Sequence, residues 1–456
     1  MTKTEDVVDE KLLWKILEKT KNPPPERIRE ILVKAREKEG LSLEETAALL
    51  NTDNPDLLQE MFHVSGRIKD EIYGERLVLF APLYLSSYCT NDCAYCGFHR
   101  RNPAPRKRLS CEEIREETKV LIEMGHKRLL LECGEHPRFS PIDYVVEAIE
   151  TIYAAKSGKG EIRRLNVNIA AASVEDYKKL KKAGIGTYQL FQETYHRQTY
   201  EKLHRGPKAD YERQLFAHDR AMQAGIDDVG IGVLFGLFDY RFDALALVSH
   251  AEYLERTFNV GPHTLSVPRF QRAETVESAF SCVSEEALLQ IISILRMAVP
   301  YTGMILSTRE SAEIREKAFK IGISQTSAAS RTAPGAYGKE EVAEQFSTQD
   351  KRSVDAVIHS ILKLKLIPSF CTACYRLGRT GEAIMQLIKA GKIHELCRPN
   401  ALLTLKEYLE DYASLENRKL GEEIVERFLS QIPENLKRET AVRLERIENG
   451  ERDLYF

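Results

Sequence analysis

The stretch Leu77-Val78-Leu79-Phe80-Ala81-Pro82-Leu83-Tyr84-Leu85-Ser86-Ser87-Tyr88-Cys89-Thr90-Asn91-Asp92-Cys93-Ala94-Tyr95-Cys96-Gly97-Phe98-His99 sets an apolar run directly before three cysteines. The run from Leu77 to Leu85 is too short for most helices and stops at two serines, so it reads as a buried strand. Three thiolates spaced C-x3-C-x2-C, with Tyr95 just before the last, suit one corner of an iron–sulfur cluster. They hold three irons and leave the fourth without a protein ligand. A cluster that only carries electrons takes four cysteines, whereas an open iron invites a small molecule to chelate it. A zinc knuckle is the other reading, with His99 as its fourth ligand.

Working outward, the same texture repeats. Short apolar runs lie at Leu77 to Leu85, Arg128 to Glu132, Leu165 to Ala170, Thr187 to Gln192, Asp228 to Leu234, Thr264 to Val267, Gly303 to Leu306 and Gly322 to Thr326. Each precedes a segment of helical period. Ser110 with Glu113, Ser173 with Asp176 and Ser307 with Glu310 have the spacing of a helix N-cap and its acid, and Ser140-Pro141 puts proline at a helix start. Gly125, Gly184 and Gly225 stand where helices end. Eight strand-then-helix units to about Leu364 predict an α/β fold, a (β/α)8 TIM-type barrel whose active site lies at the carboxyl ends of the strands. The cysteine triplet follows the first strand and falls at that end.

Residues 1–75 read as a helical extension that caps one end of the barrel, with pieces at Leu12 to Leu17 and Arg27 to Glu39 and a capping box at Ser42 and Glu45. The barrel spans 76–364. Residues 365–456 form a helical C-terminal domain in which Leu402 to Leu429 reads as a solvated amphipathic pair. That tail opens on Cys371-Thr372-Ala373-Cys374, and Cys397 follows, giving three more thiols for a second cluster. With His394 the same set would make a zinc tetrahedron.

Lys and Arg total 66 against 69 Asp and Glu, so no basic surplus points to nucleic acid. No apolar run approaches the length of a membrane span. Nine cysteines, grouped as C-x-x-C rather than spread in pairs, fit metal binding in a reducing, cytoplasmic setting. Cys111, Cys133 and Cys282 read as buried thiols.

The first triplet resembles the signature of the radical S-adenosylmethionine (SAM) superfamily. Together with Cys371, Cys374 and Cys397, it makes the whole chain resemble the HydG family, the radical SAM tyrosine lyases that mature FeFe-hydrogenase. Leu131-Glu132-Cys133-Gly134-Glu135-His136-Pro137, Phe191-Gln192-Glu193-Thr194-Tyr195-His196, Gly261-Pro262-His263-Thr264 and Ser307-Thr308-Arg309-Glu310 agree with it. The related thiazole-forming tyrosine lyase shares some of these segments but lacks the C-terminal triplet. A noncatalytic iron–sulfur or zinc scaffold is the reading from another class.

The resemblance implies two 4Fe-4S clusters, SAM, and an additional labile iron at the C-terminal cluster. Cys89, Cys93 and Cys96 would bind the SAM cluster. Tyr95 would lie near the nucleoside or substrate. Gly134 and Glu135 would approach the methionine amine, Glu193 the ribose, and Gly230 and Gly232 the adenine side. Arg213 would pair with the SAM carboxylate, a surface ion pair being its plainer role. Arg309 would hold the tyrosine carboxylate beside Ser327, with Arg331 as its competitor. His263, at the opposite end of the barrel, would ligate the extra iron. The implied activity is cleavage of the Cα–Cβ bond of L-tyrosine to p-cresol and dehydroglycine, which then yields carbon monoxide and cyanide for the hydrogenase H-cluster. Implied partners are an electron donor such as flavodoxin or ferredoxin and other hydrogenase maturation proteins.

Overall fold

A computed structural model describes residues 3–271, 281–337, 344–389 and 393–456. Eight parallel strands close a barrel: β1 (Arg76–Ser86), β2 (Arg128–Cys133), β3 (Arg164–Asn168), β4 (Tyr188–Gln189), β5 (Val229–Gly232), β6 (Thr264–Ser266), β7 (Gly303–Leu306) and β8 (Gln325–Ser327). Neighbours in sequence are neighbours in space, and β8 returns to β1 through Val78↔Gln325, Leu79↔Thr326 and Phe80↔Ser327. The eight expected strands are all present. The last begins three residues late because the helix Ala312–Ile321 runs on to a C-cap at Gly322.

Alternation along β1 explains why its sequence is continuously apolar. Leu77, Leu79, Leu83 and Leu85 are fully buried in the large hydrophobic core, while Phe80, Pro82 and Tyr84 line a cavity inside the barrel. A strand buried on both faces has no polar side to show.

A ninth strand, β9 (Ile367–Ser369), extends the sheet along β1 through Arg76↔Ile367 and Val78↔Ser369. Pro368 hides it in the sequence. Proline removes a ladder donor, and β9 tolerates it because it pairs with β1 alone at the edge. Its placement leads the chain straight to Cys371 at the amino-terminal end of the barrel.

The N-terminal helices lie along the barrel's flank rather than across its end. Pro55–Tyr73 packs on the outer helices Glu285–Ala298 and Ala312–Ile321, and Glu10–Lys19 packs on Tyr240–Phe258. A Cβ at Gly66 would lie 2.5 Å from the Lys320 carbonyl oxygen, and Ser65 donates to the Ile321 carbonyl at 2.6 Å, so glycine sets this crossing. The capping box of Ser42 and Glu45 forms as expected, whereas the helix predicted to reach Glu39 stops at Ala35.

The helices expected at Ser140 and Ser307 begin later, with Pro141 and Ser311 as N-caps, which frees Ser307 to Glu310 as a loop. The C-terminal helix Ile393–Asp411 is buried rather than solvated: Leu402, Leu403, Leu405 and Leu409 are inaccessible. It lies between β9 and the helices Leu415–Leu429 and Glu434–Glu448. Among the described residues no helix is long and apolar enough to cross a membrane.

Candidate active site

Two cavities open at opposite ends of the barrel. The upper one, about 1430 Å³ including its mouth, lies at the carboxyl ends of the strands and is lined by Cys89, Cys93 and Cys96. The lower one, about 580 Å³, is lined by Cys371, Cys374, Cys397 and His263. Each cysteine triplet predicted from the sequence therefore faces one cavity.

The loop after β1 is held by its backbone. Thr90 donates to the Glu135 carbonyl at 2.7 Å, Asp92 to Arg205 at 3.1 Å, Ala94 to Leu203 at 3.0 Å and Gly97 to Gln345 at 2.8 Å. Amides also reach the sulfurs, Phe98 N–H to Cys96 Sγ at 3.4 Å and Ala373 N–H to Cys371 Sγ at 3.5 Å, an arrangement that favours thiolates. Burial pushes the Cys93 thiol up, with the charges of Cys96 and Cys89 adding to it, and pushes Cys96 up to about 11. Cys374 is pushed up to about 12 by burial and then by Cys397 and Cys371. Three such thiolates coexist only around a cationic group. Among the described residues no three His, Cys, Asp or Glu side chains converge on a single ion. His99 is engaged with Asp92 at 3.1 Å, and the side chain of His394 lies outside the described residues.

Gly134 is required where it stands. A Cβ there would lie 2.4 Å from the Tyr88 carbonyl oxygen, so the close approach is to the cysteine loop itself. Glu135 and Arg213, expected to meet opposite charges of SAM, bind each other at 2.6 Å, and Glu135 also accepts from Asn91 at 2.7 Å. Glu193 has a left-handed backbone (φ 71°) and pairs with Lys208 at 2.6 Å. The Lys208 ammonium also stands 5.8 Å over the Tyr95 ring. Tyr95 hydrogen-bonds His204 Nε2 at 2.7 Å; since His204 Nδ1 donates to the Tyr200 carbonyl, Nε2 accepts and the phenol donates. Gly230 and Gly232 do not line the upper cavity. A Cβ at Gly230 would strike the Thr264 hydroxyl at 2.4 Å, and one at Gly232 the Phe191 ring at 2.7 Å.

Arg309 projects into the cavity, its guanidinium 3.2 Å from the centroid of the Phe346 ring. Ser327 lines the same wall and accepts from the Thr308 amide at 3.3 Å. Arg331 is exposed and lies off the cavity. Of the two candidate clamps only Arg309 reaches the interior. Contrary to the expectation of buried thiols, Cys282 is exposed, Cys111 is half-buried, and Cys133 lines the upper cavity.

In the lower cavity His263 Nε2 pairs with the Tyr375 hydroxyl at 2.6 Å, and Nδ1 lies 3.7 Å from Asp228. Arg76 and Arg128 line the wall, and Arg164 stacks 3.0 Å from the Tyr375 ring centroid. The buried Nε atoms of all three arginines, and His263 Nδ1, have no hydrogen-bond partner among the described atoms. Two of these cations, Arg76 and Arg128, line the cavity with the three thiols, which suits an anionic cluster. The role of these arginines escaped the sequence reading, although each is the first residue of its strand.

The model of the Radical SAM superfamily matches residues 83–246, and that of the Biotin and Thiamin Synthesis associated domain matches residues 266–367. The 2-iminoacetate synthase of Escherichia coli (strain K12) is 31% identical over 347 residues, covering 75% of this chain and 90% of that protein. A crystal structure of HydG, a maturase of the FeFe-hydrogenase, superposes with a TM-score of 0.97 at 52% identity, covering 99% of this chain and all of that one. HydG from Carboxydothermus hydrogenoformans gives 0.86 at 40% identity, covering 97% of this chain and 100% of the other. Carrying both cysteine triplets on a barrel that matches these maturases from end to end, the chain belongs to the HydG family of the radical SAM superfamily.

Proposed function

We propose that the protein is a radical SAM tyrosine lyase that cleaves the Cα–Cβ bond of L-tyrosine to p-cresol and dehydroglycine, and converts the fragment to carbon monoxide and cyanide for the FeFe-hydrogenase cofactor. One observation carries the reading: two cysteine triplets face two separate cavities at opposite ends of one barrel. When bound, the upper cluster and SAM supply a hydrogen-abstracting carbon radical, and the lower cluster with a labile iron supplies the metal that receives the diatomic products.

The residues divide the remaining work. Cys89, Cys93 and Cys96 hold the upper cluster, and Glu135, Arg213, Glu193 and Tyr95 frame the SAM side of the cavity. Arg309 takes the substrate carboxylate, which a planar, permanently charged donor suits, with Ser327 beside it. Buried walls keep water and oxygen from reactive intermediates. Cys371, Cys374 and Cys397 hold the lower cluster, with His263 available to the extra iron once Tyr375 releases it. The same reading assigns 1–75 to support, 76–364 to radical chemistry and 365–456 to the second cluster. A cytoplasmic setting with a flavodoxin or ferredoxin as electron donor, in exchange with other maturation proteins, completes it.

The reading predicts about eight irons and eight sulfides in the anaerobically reconstituted protein, or about nine irons with the labile one. It also predicts a low-temperature EPR signal that changes on adding SAM, and p-cresol on adding tyrosine and dithionite. About four irons with stoichiometric zinc, or no p-cresol, would contradict it.

A further inference from the structure

The upper cavity is lined by three carboxylates, Glu132, Glu135 and Glu193. Two of them are already neutralised, Glu135 by Arg213 at 2.6 Å and Glu193 by Lys208 at 2.6 Å. Glu132 has no salt-bridge partner within 4 Å among the described residues. It lies near the end of β2, in register with Tyr84 on β1 and Asn168 on β3, and all three residues line the cavity. The groups that act on it are the Tyr84 phenol, opposite it in register and itself donating to Gln345 Oε1 at 2.7 Å, the Arg309 guanidinium and the Glu193 carboxylate, all of which line the same cavity. Burial pushes its carboxyl up to about 7, against the pull of Tyr84 and Arg309.

A free amino acid brings two charges into this space. Its carboxylate has Arg309, and its ammonium, fixed on the same carbon, needs an acceptor close to that clamp. A half-buried carboxyl that lines the cavity with Arg309 and has no salt-bridge partner among the described residues is the group that an ammonium would neutralise. Hydrogen abstraction from the amino nitrogen, the step by which the tyrosine-lyase reading starts Cα–Cβ cleavage, also needs a free amine, because an ammonium has no lone pair to stabilise a nitrogen radical.

Resting on the tyrosine-lyase reading, we infer that Glu132 is the base that binds the substrate ammonium and removes a proton from it. The step is substrate R–NH3⁺ plus Glu132–COO⁻ giving R–NH2 plus Glu132–COOH. One N–H bond breaks with its electron pair left on nitrogen, one O–H bond forms, and no electron is gained or lost. A carboxyl that titrates near neutrality is matched to this task.

The experiment is p-cresol formation by wild-type, E132Q and E132D holoenzyme from about pH 6 to pH 9, with iron content read on each preparation. Both variants are expected to load iron as wild type does. At pH 7, E132Q is expected to lose about 10²- to 10⁴-fold in kcat, with a smaller change in KM for tyrosine. Its rate should climb about tenfold per pH unit on the alkaline side, where the substrate amine loses its proton to water. E132D, which keeps a carboxylate, should retain the wild-type pH profile at reduced rate. An E132Q enzyme within threefold of wild type at pH 7, or one whose deficit does not change with pH, overturns the inference. A wild-type enzyme that makes no p-cresol overturns the tyrosine reading itself, and this inference with it.

Discussion

Gly134→Ala is the smallest change that should separate the two ends of the barrel. A methyl group placed there meets the Tyr88 carbonyl oxygen at 2.4 Å, its carbon at 3.0 Å and Cys89 Cβ at 3.1 Å. Relieving the first contact to ordinary carbon–oxygen separation requires roughly 1 Å of movement, in a segment with little freedom to give it. The Tyr88 ring stacks on Phe139 with centroids 4.0 Å apart, Thr90 is tied to the Glu135 carbonyl, and Gly134 N–H donates to Ser86 at 2.9 Å. Overpacking of this kind costs about 1–3 kcal/mol, and the strain falls on the residue before Cys89. A displacement of about 1 Å at a reacting centre is enough for a loss of about 10²-fold.

Gly134→Ala is therefore expected to fold, to keep its lower cluster, and to lose the SAM-responsive EPR signal and p-cresol formation by about two orders of magnitude. The assay is EPR with and without SAM, alongside iron content, each compared with wild type. Wild-type EPR and p-cresol yield in Gly134→Ala would refute the reasoning, because they would mean that the cysteine loop needs no close backbone contact with the end of β2.

Further expectations follow from other contacts. Arg309→Lys should raise KM for tyrosine about 10- to 100-fold with SAM affinity unchanged, while Arg331→Ala, at an exposed position, leaves both constants as they were; steady-state kinetics and SAM binding check this. Replacing Arg76 by Met removes a buried cation beside Cys371, Cys374 and Cys397 and should make the lower cluster harder to reduce, by several tens of mV in a potentiometric EPR titration. Asp243 accepts from Tyr195 N–H at 2.8 Å and Thr194 Oγ1 at 3.0 Å, and burial raises its carboxyl to about 8. Since its folded pKa lies above its unfolded value of about 3.9, its contribution to stability is present in acid and is lost as pH rises toward 8. Asp243→Asn should therefore flatten the pH dependence of urea unfolding between about pH 4 and pH 8, measured on the apoprotein.

Much of this molecule was legible because its signals are local. Eight strand-helix units announced a barrel, and each cysteine triplet is contained in one or two short segments, so their spacing survives without knowledge of the fold. The placement of the first triplet at the carboxyl ends of the strands, and of His263 at the opposite end, followed from chain order alone. What stayed hidden depends on partners distant in sequence. Glu135 and Arg213 each looked like a SAM contact, yet they satisfy each other across 78 positions. Lys208 and His204 show their connection to Glu193 and Tyr95 only when the turn after β4 is folded. Arg309 and Arg331 are indistinguishable in sequence, and one faces the cavity while the other faces solvent. Arg76, Arg128 and Arg164 carried a usable signal, a basic residue heading a strand with the parity of its interior face. Glu132 carried the matching one at the other end, an acid two residues beyond the inward-facing Leu130.

Carbon monoxide and p-cresol measured together, from wild type and Cys374→Ala, test the two-cavity account most directly. Cys374 lines the lower cavity alone, so its loss should abolish carbon monoxide while p-cresol continues to form at a rate close to wild type. Loss of both products in proportion, or carbon monoxide that survives the substitution, would contradict a division of the chemistry between the two ends of the barrel.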